Sequence, residues 1–168
     1  IVTSRRTAEE MAGLPPDGLA QLFNNWKSFG EGGEFLHESM GSKFDFSSIV
    51  ATKPGRTFDG ELSLKVGNKE VRLIEVGPAH TKGDTIVHAP ADRTVFTGDI
   101  LFHGGHPILW AGPVANWIKA CDLMLDLDIE TIVPGHGPIA DKQAVRAFRD
   151  YLVYIRDQAR QRFDAGMS

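Results

Sequence analysis

Apolar residues recur along the chain in two rhythms, one helical and one alternating. Leu19, Leu22, Phe23 and Trp26 are spaced by threes and fours, which lays them on one face of a helix. Asp17 is placed to cap that helix, and Gly30, Gly32 and Gly33 to end it. Upstream, Thr7-Ala8-Glu9-Glu10 reads as a capping box, with Thr7 as N-cap and Glu10 reaching back. The short helix it starts stops near Gly13, before Pro15 and Pro16. Ile1 and Val2 look like the end of a strand. The expectation is therefore an upstream segment preceding a mid-domain start.

Alternation then takes over. Phe44-Asp45-Phe46 reads as a short strand, while His37 sits in a segment with no periodicity. Leu62, Leu64 and Val66 alternate, Gly67-Asn68 supplies a turn, and Val71, Leu73, Ile74 and Val76 return, so a hairpin is expected. Thr85 to Ala89 and Thr94 to Thr97 follow as short strands joined by Pro-Ala-Asp-Arg. Asp99 to Pro113 has the glycine-rich composition of a loop and carries His103, His106 and Trp110. The helical rhythm returns in Trp117, Ile118, Cys121, Met124 and Leu125, a helix from about Val114 to Leu127. Thr131 to Val133 reads as a buried strand. Asp141 begins a last helix with Val145, Phe148, Leu152 and Ile155 on one stripe, running to about Arg162. Strands followed by crossover helices late in the chain suggest a layered α/β fold. No linker divides it, so one domain over residues 1–168 is expected.

Composition narrows the class rather than the function. A chain of 168 residues buries roughly two-thirds of its unfolded surface. The 42% hydrophobic and 24% charged residues are ordinary for a globular protein. A formal net charge of −4 argues against nucleic acid or an acidic membrane surface as partner. No apolar run reaches the roughly 18–20 residues of a membrane span. Cys121 is the only cysteine, so no disulfide forms within the chain, and a reducing, cytoplasmic compartment is expected. On its apolar helical face Cys121 reads as a small buried hydrophobe.

The candidate chemistry lies at the ends of strands. His80, Asp99 and His136 each follow an apolar run, in a stretch carrying glycine, where open α/β sheets present their ligands. Two imidazoles and a carboxylate suit zinc, iron or manganese. A histidine in a loop is also commonly a hydrogen-bonding surface residue, and spacing alone leaves both readings open.

The stretches "GPAHTKGDTIVH", "VFTGDILF" and "TIVPGHG" resemble the second half of the metallo-β-lactamase fold superfamily, in the style of its glyoxalase II-like hydrolases. The resemblance runs from about Arg56 into the final helix. It implies an αββα sandwich with a one- or two-metal site at the sheet edges. By the same resemblance His80 corresponds to the third histidine ligand, Asp99 to the carboxylate bridging two metals, and His136 to the last histidine. Asp99 separates the chain from the lactamases that carry cysteine there. The family's His-x-His-x-Asp-His motif is absent, and His103-Gly-Gly-His106 has neither its spacing nor its acid. The chain thus reads as an incomplete sandwich lacking the N-terminal part.

The resemblance implies a metal-dependent hydrolase of esters, thioesters or lactones, acting on small molecules through a metal-bound hydroxide. Without the main motif, activity is expected to be impaired. Zinc is the expected metal, with iron or manganese as alternatives, and its occupancy is expected to be partial or nil. Asp84 is expected to brace a ligand imidazole or to cap the loop, and His106 to face substrate. His103 ranks below it, His88 reads as structural, and Trp110 as packing or a pocket wall. An open half-sandwich uncovers apolar sheet, so a homodimer completing the sandwich is expected. The alternative to a hydrolase is a non-catalytic α/β domain acting by self-association or partner binding.

Overall fold

The computed structural model describes residues 1–13, 16–46, 49–50 and 52–167, except for the side chains of Pro16, Asp17 and Leu19. The elements, in order, begin with strand β1 (Val2–Ser4) and helices α1 (Arg5–Gly13), α2 (Pro16–Asn24) and α3 (Gly30–Leu36). Strands β2 (Arg56–Phe58), β3 (Glu61–Val66), β4 (Lys69–Glu75), β5 (Thr85–Ala89) and β6 (Thr94–Phe102) follow. Helix α4 (Val114–Asp126), strand β7 (Thr131–His136) and helix α5 (Lys142–Asp164) complete the chain.

Strands β3 to β7 form a five-stranded sheet in sequence order. The first four are joined antiparallel, and β6 and β7 are parallel. A parallel neighbour needs a crossover, and α4 provides it. The β3–β4 hairpin forms as expected, with Val66 paired to Lys69 across the two-residue turn and Gly67 at φ +62°.

One face of this sheet is the core. Ile74, Ile86, Val95 and Ile132 are buried with Trp117, Cys121 and Met124 of α4 and with Val145, Phe148 and Leu152 of α5. The stripe read from the sequence on α4, and that on α5 as far as Leu152, are thus the stripes that pack, whereas in the first stripe Leu22 is exposed and Trp26 lies beyond α2. Asp141 caps α5, its carboxylate accepting from the backbone of Gln143 (2.8 Å) and Ala144 (3.1 Å). The opposite face carries a row formed by Leu62, Leu73, Val87, Phe96 and Val133, each opposite the next in register. None of these five is buried, and Phe96 is 47% exposed. The parallel pair β1–β2 stands apart from the five strands as a second sheet.

Several sequence expectations are overturned near the N-terminus. Helix α1 begins at Arg5, so Thr7 lies inside it, and Ser4 accepts the Thr7 N–H (3.2 Å) in the capping position. Glu10 makes no reciprocal capping bond and instead accepts from the backbone N–H of Lys82 (3.3 Å). Helix α2 opens at Pro16, which places Asp17 within it, and the capping side chain expected there lies outside the described residues. It stops at Asn24, a 3-10 turn spans Trp26–Phe29, and Gly30, Gly32 and Gly33 belong to α3 instead of ending a helix. Phe44 to Phe46 is not a strand. The Phe46 ring stacks on Phe23 at 4.3 Å, and that tertiary contact outweighs the local alternation. His37 lies in a short π-helical turn, stacked on Trp26 at 4.6 Å.

Candidate metal centre

Longer strands than the pattern suggests deliver the site. β6 runs on through Phe102 and β7 through His136, so Asp99 lies inside a strand and His136 at the end of one. The β6–β7 register shifts between Phe96 and Gly98 and again before Phe102. Such irregularities re-aim side chains next to functional sites. Here they turn Asp99 toward the sheet edge. Gly135 makes room for it, since a Cβ there would stand 2.2 Å from Asp99 Oδ1.

The structure brings His80, Asp99 and His136 together. His80 Nε2 lies 3.5 Å from Asp99 Oδ2, and His136 Nε2 lies 3.4 Å from Asp99 Oδ1. The two imidazoles thus address different oxygens of one carboxylate. Two donors bound to one tetrahedral zinc at 2.0–2.1 Å stand about 3.3 Å apart. Both separations are close to that edge, longer than a hydrogen bond and short enough to share an ion. Among the described residues, however, no three His, Cys, Asp or Glu side chains gather around a single point. The arrangement is two donor pairs hinged on Asp99.

His80 is the most tightly held donor. It is buried, and its Nδ1–H donates to the Ile108 carbonyl at 2.7 Å, which leaves the Nε2 lone pair facing Asp99. The His80 carbonyl in turn accepts from the backbone of Trp110 (3.1 Å) and Ala111 (3.0 Å). The edge of Trp117 closes one side of the ring at 5.5 Å, with its indole N–H spent on the Ile100 carbonyl (2.8 Å). Asp84 does not bond the imidazole. Its carboxylate accepts from the backbone of Ala79 (3.1 Å) and Thr81 (3.0 Å) and from the Thr81 hydroxyl (2.6 Å), and so tightens the loop that carries His80.

His136 is solvent-exposed, but its ring stacks on Phe102 at 4.4 Å and 14°. The other histidines fall away from this group. His103 donates from its backbone to the His136 carbonyl (2.8 Å) and from its ring to the Pro138 carbonyl (3.0 Å), a structural role. His106 bonds through Nδ1 to the Tyr151 hydroxyl. His88 is buried on β5 with neither ring nitrogen hydrogen-bonded, and burial first, then the Arg72 cation, holds its pKa below the ordinary imidazole value. Cys121 is buried, and its thiol is pushed up to about 12 by that burial. Trp110 does not pack as expected. It is 69% exposed, because its loop turns outward after the backbone bond to His80.

Sequence reasoning did not find the Ile108 carbonyl, Tyr151, or the hydroxyls of Ser4 and Thr7. The latter both bond the Gly83 carbonyl (2.9 and 2.8 Å) just beyond the His80 loop. No local pattern signals such contacts, because each joins segments far apart in the chain. A cavity of about 450 Å³ opens beside His80 and Asp99 and reaches Phe58, Leu73 and Val87, between the two sheets.

Helices pack on one face of this sheet, and His, Asp and His meet at its edge. The family model of the metallo-beta-lactamase superfamily matches residues 4–136, and the chain belongs to that superfamily. Solved structures agree on the fold. A metallo-beta-lactamase from Pontibacter korlensis superposes with a TM-score of 0.54 at 19% identity, over 73% of this chain and 55% of that one. A metallo-beta-lactamase family protein from Thermus thermophilus gives 0.56 at 15% identity, over 79% and 48%. In sequence, the alpha subunit of 2,4-dinitroanisole O-demethylase from Nocardioides sp. (strain JS1661) is 33% identical over 87 residues, 48% of this chain and 25% of that protein. The chain therefore spans between a quarter and about half of the length of these three proteins. The superfamily is of metal-dependent hydrolase type and generally binds divalent metals such as zinc.

Proposed function

We propose that the chain carries the Asp-centred half of a two-ion hydrolase site for small-molecule esters, thioesters or lactones. The observation that carries this reading is the pair of imidazoles on opposite oxygens of Asp99, each near the tetrahedral-edge distance. The donor set fits zinc, and equally iron or manganese. His80 and Asp99 Oδ2 would hold one ion, and Asp99 Oδ1 with His136 the other. Each pair supplies two donors, so water or a further polypeptide segment must complete the shell. The chemistry that a divalent ion held by these residues would supply is water activation near neutral pH and carbonyl polarisation.

The remaining chemistry belongs to the protein. The Ile108 carbonyl fixes the His80 tautomer, and such partners typically govern metal affinity tenfold or more. Phe102 holds the plane of the His136 ring. The buried wall at Trp117 limits water on the His80 side and leaves the Asp99–His136 side open to substrate.

Zinc titration by calorimetry, paired with phenyl acetate hydrolysis, tests the reading. Wild type should bind zinc and gain esterase activity with it, while Asp99→Ala should bind at least tenfold more weakly, because both pairs lose their shared member. Equal binding by the two proteins would remove Asp99 from any ion site. A second reading, self-association of a non-catalytic domain, is favoured by the exposed Phe96 on the half-buried apolar row.

A further inference from the structure

Beyond the donor residues, a second cavity lies behind Phe102. Its volume is about 380 Å³, enough for a benzene-sized ring and a substituent. The loop after β6 forms one wall and α5 the other. Ala144 and Ala147 sit one helical turn apart on α5, and their small side chains leave the space open. Phe148 and Phe102 supply the aromatic surface, with rings 6.5 Å apart. Phe102 also stacks on His136, so one ring is shared between the cavity and the candidate metal centre.

The polar groups of the cavity are few and neutral in type. Among the described residues that line it there is no Lys, Arg, Asp or Glu. His103 has its Nδ1 committed to the Pro138 carbonyl. His106 and Tyr151 form the remaining pair, joined through Nδ1 and the phenol hydroxyl, with the rings edge to face at 5.8 Å. A phenol is the better donor of the two, so Tyr151 donates into Nδ1. That assignment places the proton of the neutral imidazole on Nε2 and makes His106 a donor to a ligand oxygen.

From this arrangement we infer that the cavity binds a neutral aryl group bearing one hydrogen-bond acceptor, with His106 as donor and Tyr151 as the residue that sets its tautomer. The inference rests on the hydrolase reading only in calling that group part of a substrate. It narrows the substrate class to neutral aryl esters and sets aside polyanionic thioesters. A flat ring gains the Phe102 and Phe148 surfaces, whereas a carboxylate or phosphate would meet apolar surface and no Lys or Arg among the described lining residues. Tyr151 is a positioning residue, acting on the ligand through His106.

The test uses acetophenone, a neutral aryl ketone that cannot be hydrolysed, titrated into the full chain and followed by NMR. Saturable shifts are expected at the Ala144 and Ala147 methyls and the His106 ring. Ala147→Leu, on an exposed helix position, should fill the slot and weaken acetophenone at least tenfold while leaving the fold intact. Tyr151→Phe should redistribute the His106 nitrogen shifts between the two tautomers. Benzoate should bind at least tenfold more weakly than acetophenone. Unchanged affinity in Ala147→Leu, or benzoate binding as well as acetophenone, would overturn the inference. Turnover separates the two claims. Zinc-dependent cleavage of acetyl coenzyme A in preference to phenyl acetate keeps the hydrolase and sinks the aryl pocket. Acetophenone binding as expected without cleavage of either ester keeps the pocket and sinks the hydrolase.

Discussion

His88 sits on β5 opposite Arg72 of β4 and Val95 of β6, with no hydrogen-bond partner for either nitrogen. Glu61 on β3 and Asp128 after α4 are the acidic groups that face it, and they oppose the downward shift without overcoming it. Folding therefore favours the neutral form. An imidazole whose pKa is depressed by folding leaves the unfolded chain binding more protons, so stability rises with pH through that range. Its contribution is complete above the unfolded imidazole value of about 6.5 and falls away as the pH drops below it. The thermal midpoint of wild type should thus fall more between pH 7.5 and pH 5.5 than that of His88→Leu, which keeps the buried volume and cannot protonate. Parallel pH profiles for the two proteins, measured by calorimetry, would show that another group governs acid sensitivity. Residues of this kind were partly legible in the sequence. His88 reads as structural from its place on a strand, but its burial without a partner emerges only from packing.

At the scale of elements, legibility tracks how local the determining contact is. The α5 start was readable because Asp141 bonds amides two and three residues on. Removing that cap, as in Asp141→Ala, should cost about 1 kcal/mol. In a chain of this size that lowers the thermal midpoint by roughly 2–4 °C. An unchanged midpoint would mean that the two Lys142 bonds, to the carbonyls of Leu125 (2.8 Å) and Leu127 (2.5 Å), hold the helix start unaided. The hairpin was readable for the same reason, since Gly67-Asn68 acts on its immediate neighbours. Helix α1 was not. Its local capping box is overridden because Thr7 and Glu10 are drawn to Gly83 and Lys82, more than seventy residues away. The length of β6 was likewise hidden, because glycine in "TGD" reads as a break when it in fact accompanies a register shift within the strand. His80, Asp99 and His136 were recognisable by their motifs, while their mutual distances became available only with the β6–β7 pairing.

For the whole molecule, the five-stranded sheet is covered by helices on one face and carries on the other a half-buried apolar row, in which Leu73 and Val87 face the cavity toward β1–β2 and Phe96 is exposed. Burying such area is worth roughly 25 cal/mol per Å². We propose a second copy as its cover, with the row of each chain seated against that of its partner about a twofold axis. Light scattering at micromolar concentration should then give the mass of two chains, and Phe96→Glu, at an exposed position in that row, should give one. A wild-type monomer under those conditions would sink the dimer. The other whole-molecule tie is at α1, where Ser4 and Thr7 both grip the Gly83 carbonyl and a Cβ on Gly83 would collide with Thr7 at 2.3 Å. The opening residues buttress the loop that carries His80. Stiffness at His80 is thus borrowed from the far end of the polypeptide, and on the two-ion proposal a change at Ser4 or Thr7 should weaken ion affinity by loosening the support without touching a proposed ligand.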